Sequence, residues 1–221
     1  MLVGWPRLDL FVITDPALAR GRTHIEMARA ALEGGADAVQ LRDKSTSAYN
    51  LCLWAKEIQP LARKFGALFV VNDRVDVAMI SGAEGAHIGP ADLPVREARK
   101  LLPRPAILGV SAGDQVAARK AERAGADYLG VGPVFPTTTK PDGRPALGLD
   151  GLAAIIKAVS IPVVAIGGIN HENVSGVIAA GAAGAAVISS VATADDMAAA
   201  ARALKRRIVD ARRSARDAQG A

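Results

Sequence analysis

The sequence predicts one α/β domain folded as a closed (β/α)8 TIM barrel. Three observations predict it. Short apolar runs alternate with amphipathic stretches along the chain, eight such runs can be marked, and a Gly-Ala-acid motif recurs where a helix gives way to a strand. Strand–helix alternation implies a parallel sheet with helices packed against it. A chain of 221 residues is enough for such a barrel as a single domain.

The strand candidates are residues 10–14, 38–42, 68–72, 85–89, 107–111, 128–132, 163–167 and 185–189. Helical spacing marks 25–32, 48–64, 115–124, 149–159, 173–180 and 195–209. Gly35-Ala36-Asp37, Gly82-Ala83-Glu84, Gly125-Ala126-Asp127 and Gly181-Ala182-Ala183 each fall between a helix and the next strand. Glycine there predicts a left-handed helix cap. Even spacing of eight strands favours closure over an open doubly wound sheet. The first strand also lacks a dinucleotide fingerprint and runs into Thr14-Asp15-Pro16. No linker divides residues 1–221; the barrel is expected over about 8–209, with a basic tail at 210–221. The longest irregular segment, 133–148, exceeds the ~2–6 residues usual for a strand-to-helix loop and asks for a function.

Composition excludes several classes. Half the residues are apolar and aromatics are 4%, which suits an α/β core and not a disordered chain. The single cysteine, Cys52, leaves no internal disulfide and no thiolate metal site, and its helical setting predicts a buried, inert thiol. No signal pattern opens the chain and no apolar run is long enough for a bilayer, so a cytoplasmic location without membrane contact is expected. The formal charge of +5 is concentrated in Lys205, Arg206, Arg207, Arg212, Arg213 and Arg216. No aromatic residue is interleaved with them, so a solvated final helix is expected and nucleic acid is not. Positive potential instead suits phosphorylated small molecules. A homodimer is left open.

Chemistry in such barrels gathers at the C-terminal ends of strands. The second strand ends Gln40-Leu41-Arg42-Asp43-Lys44. Period-two alternation puts Gln40, Arg42 and Lys44 toward the barrel mouth, and Val39 and Leu41 toward the helices. Three donors on one face fit an anionic ligand; the competing reading is a salt-bridge network with acids on neighbouring strands. The third strand ends Asn72-Asp73-Arg74 and the fourth runs into Gly89-Pro90-Ala91-Asp92. Asp73 and Asp92 on adjacent strand ends suit Mg²⁺, which takes one or two carboxylates and completes its shell with water and phosphate. The alternatives are helix caps, or for Asp73 a pair with Arg74.

The fifth strand ends at Ser111, for which a helix cap is the competing role. His24, His87 and His171 lack metal-site spacing, and His87 is expected to be a hydrogen-bonded core residue. The loop after the sixth strand carries Thr137, Thr138, Thr139 and Lys140 among Pro133, Pro136, Pro141 and Pro145, and its length predicts a lid. Gly167-Gly168 after the seventh strand and Ile188-Ser189 after the eighth are expected to bind phosphate, or else to make tight turns.

Taken in order, Gln40–Lys44, Asn72-Asp73-Arg74, Asp92, Gly109-Val110-Ser111, Gly132–Lys140, Ile166–Ile169 and Val187-Ile188-Ser189 make a chain that resembles the thiamine phosphate synthase family from about Leu10 to Ser190. The resemblance implies condensation of an aminopyrimidine diphosphate with a thiazole phosphate, carboxylated or in the 4-methyl-5-hydroxyethyl form. Diphosphate leaves first, a ring-stabilised cation forms, and the thiazole nitrogen attacks it. Gln40, Leu41, Arg42, Asp43, Lys44, Asn72, Ser111 and Lys140 are implied for the pyrimidine diphosphate, and Asp73 and Asp92 for Mg²⁺. Thr137, Thr138, Thr139, Gly167, Gly168, Ile188 and Ser189 are implied for the thiazole phosphate. Arg42, Lys44, Ser111 and Lys140 are the implied catalytic set. Pro90 stands where the family commonly has glutamine, and Gly113 where many members have histidine. Two other readings stay open: a thiazole tautomerase-like isomerase, which uses a histidine just after the fifth strand, and a non-catalytic barrel that binds a phosphate ligand.

Overall fold

A computed structural model describes residues 8–137, 139 and 145–220, with side chains as far as 217. The strands are β1 Leu10–Thr14, β2 Ala38–Leu41, β3 Leu68–Asn72, β4 Gly85–Ile88, β5 Ile107–Ala112, β6 Tyr128–Val131, β7 Val163–Ile166 and β8 Gly184–Val187. The helices are α1 His24–Glu33, α2 Ala48–Lys64, α3 Val75–Ser81, α4 Val95–Leu101, α5 Gln115–Ala124, α6 Gly148–Ile156, α7 Val174–Ala179, α8 Ser189–Ala192 and α9 Met197–Gly220. All eight strands pair in parallel and in sequence order, and β8 returns to β1, closing the barrel.

Alternation divides each strand between two apolar layers. Phe11, Ile13, Ala38, Val70, Tyr128, Val164 and Ala186 fill the barrel interior. Val12, Val39, Leu41, Val71, Leu108 and Leu129 pack outward under the helices. Leu41 is therefore fully buried in the outer layer, and its side chain does not reach the mouth, contrary to its expected substrate contact.

The repeated Gly-Ala-acid motif builds the floor at the N-terminal ends of the strands. Its four glycines have φ between 68° and 107°, the left-handed region that favours glycine. The alanine after each donates its N–H to a carbonyl five residues back, as Ala36 does to Ala31 and Ala126 to Ala121, closing the helix end. The acid then turns inward. Asp37 accepts from the Leu10 N–H, Glu84 from Phe69 and Asp127 from Leu108. Each also meets a cation: Lys205 beside Asp37, Arg63 beside Glu84, and both Arg99 and Arg104 beside Asp127. Ala183 takes the fourth position without a carboxylate, and its carbonyl accepts from Arg212.

This floor changes the reading of the basic C-terminus. The expected tail is continuous with α9, which runs to Gly220. Lys205 and Arg212 are not solvated charges; both converge on Asp9, buried at 2% exposure. Arg206, Arg207, Arg213 and Arg216 stay exposed, as expected. Cys52 is a free thiol, half-buried where full burial was expected. Among the described residues, no helix is long and apolar enough to cross a membrane.

Candidate active site

The mouth begins where β1 and β2 end. Thr14 pairs with Leu41, so Asp15 and Arg42 leave the barrel side by side. Arg42 donates from Nη1 to the Asp15 carboxylate at 2.6 Å, and both side chains are nearly buried. The Nε of Arg42 is buried without a partner among the described residues. An unpaired buried donor is costly, and such orphans mark places where a ligand completes the bonding. One residue further, Asp43 points away from the mouth. It accepts from the backbone N–H groups of Ser45 and Thr46 and from the Ser45 hydroxyl, shaping the turn into α2. Against the cost of burial, these bonds hold the Asp43 carboxyl below the usual carboxylate range. His24 flanks it at 3.5 Å, hydrogen-bonded also to Thr14 at 2.7 Å, with burial pushing its pKa down.

Next to β2, strand β3 ends at Asn72, buried, and the chain bends at Asp73 with φ 63°. A non-glycine residue in this region is uncommon and draws attention to the site. Asp73 there faces Lys44 at 3.4 Å and also Asp92. Burial first, then the neighbouring Asp92 carboxyl, raise the Asp73 pKa, while Lys44 opposes them. Asp92 accepts from the Gly89 N–H at 2.7 Å and closes its own turn. Neither acid caps a helix: Arg74 and Pro94 occupy those positions without side-chain caps, and Arg74 pairs with Asp76.

Two carboxylates that repel one another, with a lysine alongside, are a donor set suited to a divalent cation. No third histidine, cysteine or acid joins them among the described residues. This fits Mg²⁺, which keeps water and substrate oxygens in its remaining positions, better than a metal enclosed by protein.

Two connected cavities open between these residues and β5–β8. The upper one, about 720 Å³ out to its open rim, is lined by Thr137, Thr139, Gly167, Gly168, Ile188 and Ser189, and by Ser111. Gly167 and Gly168 both have positive φ, and a Cβ on Gly168 would lie 2.6 Å from the Pro136 carbonyl oxygen. Glycine is thus required twice over, for conformation and for room. Asn173 donates to the Gly168 carbonyl and Ser190 to that of Ile169, fastening this loop to the next.

The lower cavity, about 380 Å³, extends into the barrel and shares Ser111, Gly130, Ile166 and Ala186 with the upper one. Gln40 and His87 give it polar walls. His87 bonds Ser111 at 2.9 Å and Tyr128 at 3.0 Å, so it is hydrogen-bonded core, as expected, but it also orients a site serine. Ser111 lies within β5 and is not a cap; Asp114 caps α5.

The structure thus gathers Gln40, Arg42, Lys44, Asn72, Asp73, Asp92 and Ser111 on one side of the mouth and the Gly167, Gly168, Ile188 and Ser189 loops on the other. Thr138 and Lys140 lie outside the described residues, as do residues 141–144 of the expected lid. Asp15, His24, His87 and Tyr128 were not singled out as site residues. Asp15 follows the first strand directly, so the rule that located the others also points to it.

A family model for thiamine monophosphate synthase matches residues 10–191. The chain is 51% identical to a thiamine-phosphate synthase of Methanoregula boonei, over 97% of this chain and 100% of that protein. It is 52% identical to a thiamine-phosphate synthase of Moorella thermoacetica, over 94% and 99%. The fold is similar to that of a solved thiamine phosphate pyrophosphorylase from Pyrococcus furiosus, with TM-score 0.86 and 42% identity, covering 93% of this chain and 98% of that one.

Proposed function

The chain belongs to the thiamine monophosphate synthase family, and from that premise we propose that its barrel mouth forms thiamine phosphate by joining 4-amino-2-methyl-5-pyrimidinylmethyl diphosphate to a thiazole phosphate. It is a transferase acting on small molecules. The observation that carries the assignment is the Asp73–Asp92 pair facing Lys44, on the strand ends next to Arg42. The arrangement offers a cation site and two basic groups for a single diphosphate.

The pyrimidine ring occupies the lower cavity, where Gln40, His87 and Ser111 supply hydrogen-bonding edges in an otherwise apolar slot. Its diphosphate lies above, against Arg42 and Lys44, with Asn72 beside it. Asp73 and Asp92 would hold Mg²⁺, which would supply positive charge to the departing diphosphate. The thiazole phosphate takes the upper cavity, its phosphate on the backbone N–H groups of Gly167, Gly168, Ile188 and Ser189 and the hydroxyls of Thr137 and Thr139. The resemblance to the family assigns Lys140, in the segment after β6, to the diphosphate as well.

Bond breaking comes first. The diphosphate departs with the electron pair of the C–O bond, and charge accumulating on it is met by Arg42 and Lys44. The electron-rich aminopyrimidine carries the resulting cation until the thiazole nitrogen attacks. No protein nucleophile is needed; His87, bonded to both Ser111 and Tyr128, orients the serine hydroxyl toward the pyrimidine ring. The isomerase alternative loses its ground: no histidine follows Ser111, where the chain has Ala112, Gly113 and Asp114, and Asp114 caps α5.

The test is formation of thiamine phosphate from the two purified substrates in Mg²⁺ and in EDTA. Product that depends on Mg²⁺ is expected. Equal rates in both would overturn the metal assignment, and no product in either would overturn the activity.

A further inference from the structure

We infer that Asp15 is a positioning residue for the diphosphate end of the site, fixing the Arg42 guanidinium by one terminal nitrogen before the substrate arrives. The inference rests on the assignment of Arg42 to the diphosphate.

A carboxylate at the rim of an anion site is at first sight misplaced, because its charge opposes the ligand. The geometry explains it. Each Asp15 oxygen has one partner: Oδ1 accepts from the Ala17 N–H at 3.2 Å, and Oδ2 accepts from Arg42 Nη1 at 2.6 Å. The first bond fixes the carboxylate to its own turn, so the second fixes Arg42 to the end of β1. The contact is end-on and not a two-pronged clasp. It engages one terminal nitrogen and leaves Nε buried and unpartnered. Arginine is long and rotamer-rich, and freezing it before the substrate arrives removes an ordering cost from binding. The pair is nearly buried on both sides, where hydrogen-bond geometry is well defined and solvent screening is weak. The ends of β1 and β2 are neighbours in register, so the clamp needs no loop to hold it.

Charge and positioning predict opposite signs, which makes the inference testable. Asp15→Asn removes a negative charge beside the site; electrostatics alone would tighten anion binding. It keeps an amide oxygen for the Ala17 N–H, so the turn survives, but it turns an NH₂ group toward Arg42 and breaks the clamp. The probe is inorganic diphosphate with Mg²⁺, titrated calorimetrically into the full chain. Asp15→Asn is expected to weaken binding about tenfold, the size usual for coupled polar pairs, and to raise the KM of the pyrimidine diphosphate alike. The KM of the thiazole phosphate and the thermal midpoint serve as controls and should hold. In an Arg42→Ala background, Asp15→Asn should cause no further loss. Tighter or unchanged binding in Asp15→Asn, with Arg42→Ala itself weakened, would overturn the positioning role alone, as would losses that simply add in the double variant. If Arg42→Ala binds diphosphate as wild type does, the assignment of Arg42 falls, and the inference with it.

Discussion

The two ends of the barrel treat charge in opposite ways. At the floor, Asp37, Glu84 and Asp127 each accept a backbone N–H from a strand start and meet a cation. At the mouth, Asp73 and Asp92 face each other, and Arg42 keeps an N–H without a partner. Residues of the same types are thus complete in themselves at one end and incomplete at the other. The floor serves folding: its bonds satisfy strand ends that would otherwise leave polar groups orphaned. The mouth forgoes that satisfaction, and in the function we propose a cation and a diphosphate supply what it lacks. Local disagreement with folding rules is what a binding site is expected to show.

The contrast can be broken by exchanging its symptoms. The largest effect is expected at Asp92. Asp92→Asn should lower turnover on the order of 10²–10³-fold, the loss typical for one group that stabilises transition-state charge, with no loss of folding stability in the absence of metal. A variant that loses stability and turnover together would make Asp92 a structural acid like those of the floor. Next in size is Asp127→Ala, which strands Arg99 and the Leu108 N–H. It should cost about 3 kcal/mol in urea unfolding, the scale for breaking a buried pair, while KM for both substrates holds. A selective change in KM would show that the floor reaches the site.

A smaller effect sharpens the division within the mouth. Gly168→Ala forces a Cβ toward the Pro136 carbonyl and a residue of positive φ. It should raise the KM of the thiazole phosphate about tenfold, in the range set by strain at a special backbone position, and leave that of the pyrimidine diphosphate nearly unchanged. Steady-state kinetics with each substrate varied in turn separates the two. Equal effects on both would mean that the two phosphate ends share one pocket.

The barrel was legible because its signals are local. Val39 and Leu41 alternate with Gln40, and the helices stop at glycines that no other residue replaces cheaply. Strand starts were read to within a residue, and several strands end one residue before the polar residue assigned to them, as β2 does at Leu41. The mouth was legible in its residue types, because strand ends collect them. Partner choice was less so. Nothing in the order of residues tells that Arg42 turns to Asp15, 27 positions earlier, that Asp43 serves the turn beside it, or that Arg212 reaches Asp9 from the far end of the chain. Arg42 meets Asp15 because β1 pairs with β2, and Arg212 meets Asp9 because closure brings the end of the chain back to β1. α8, a single turn of four residues, is too short to show a period.

The central claim is that the mouth acids are mutually unfavourable until a cation joins them. Burial and Asp92 raise the pKa of Asp73 above its ordinary 3.8. The folded state therefore holds that proton more tightly than the unfolded state. The associated stability is present below pH 3.8 and is lost as pH rises through the folded value. At pH 7 the ionised pair works against the fold. The direct measurement is urea unfolding of wild type and Asp73→Asn at pH 7, in EDTA and in Mg²⁺. Without metal, Asp73→Asn should be the more stable protein, and its advantage should shrink toward pH 4. With Mg²⁺, wild type should gain stability through binding to the folded state alone, and Asp73→Asn should gain little. If the variant is less stable than wild type in EDTA and gains as much from Mg²⁺, the pair is not a cation site, and the contrast between floor and mouth fails.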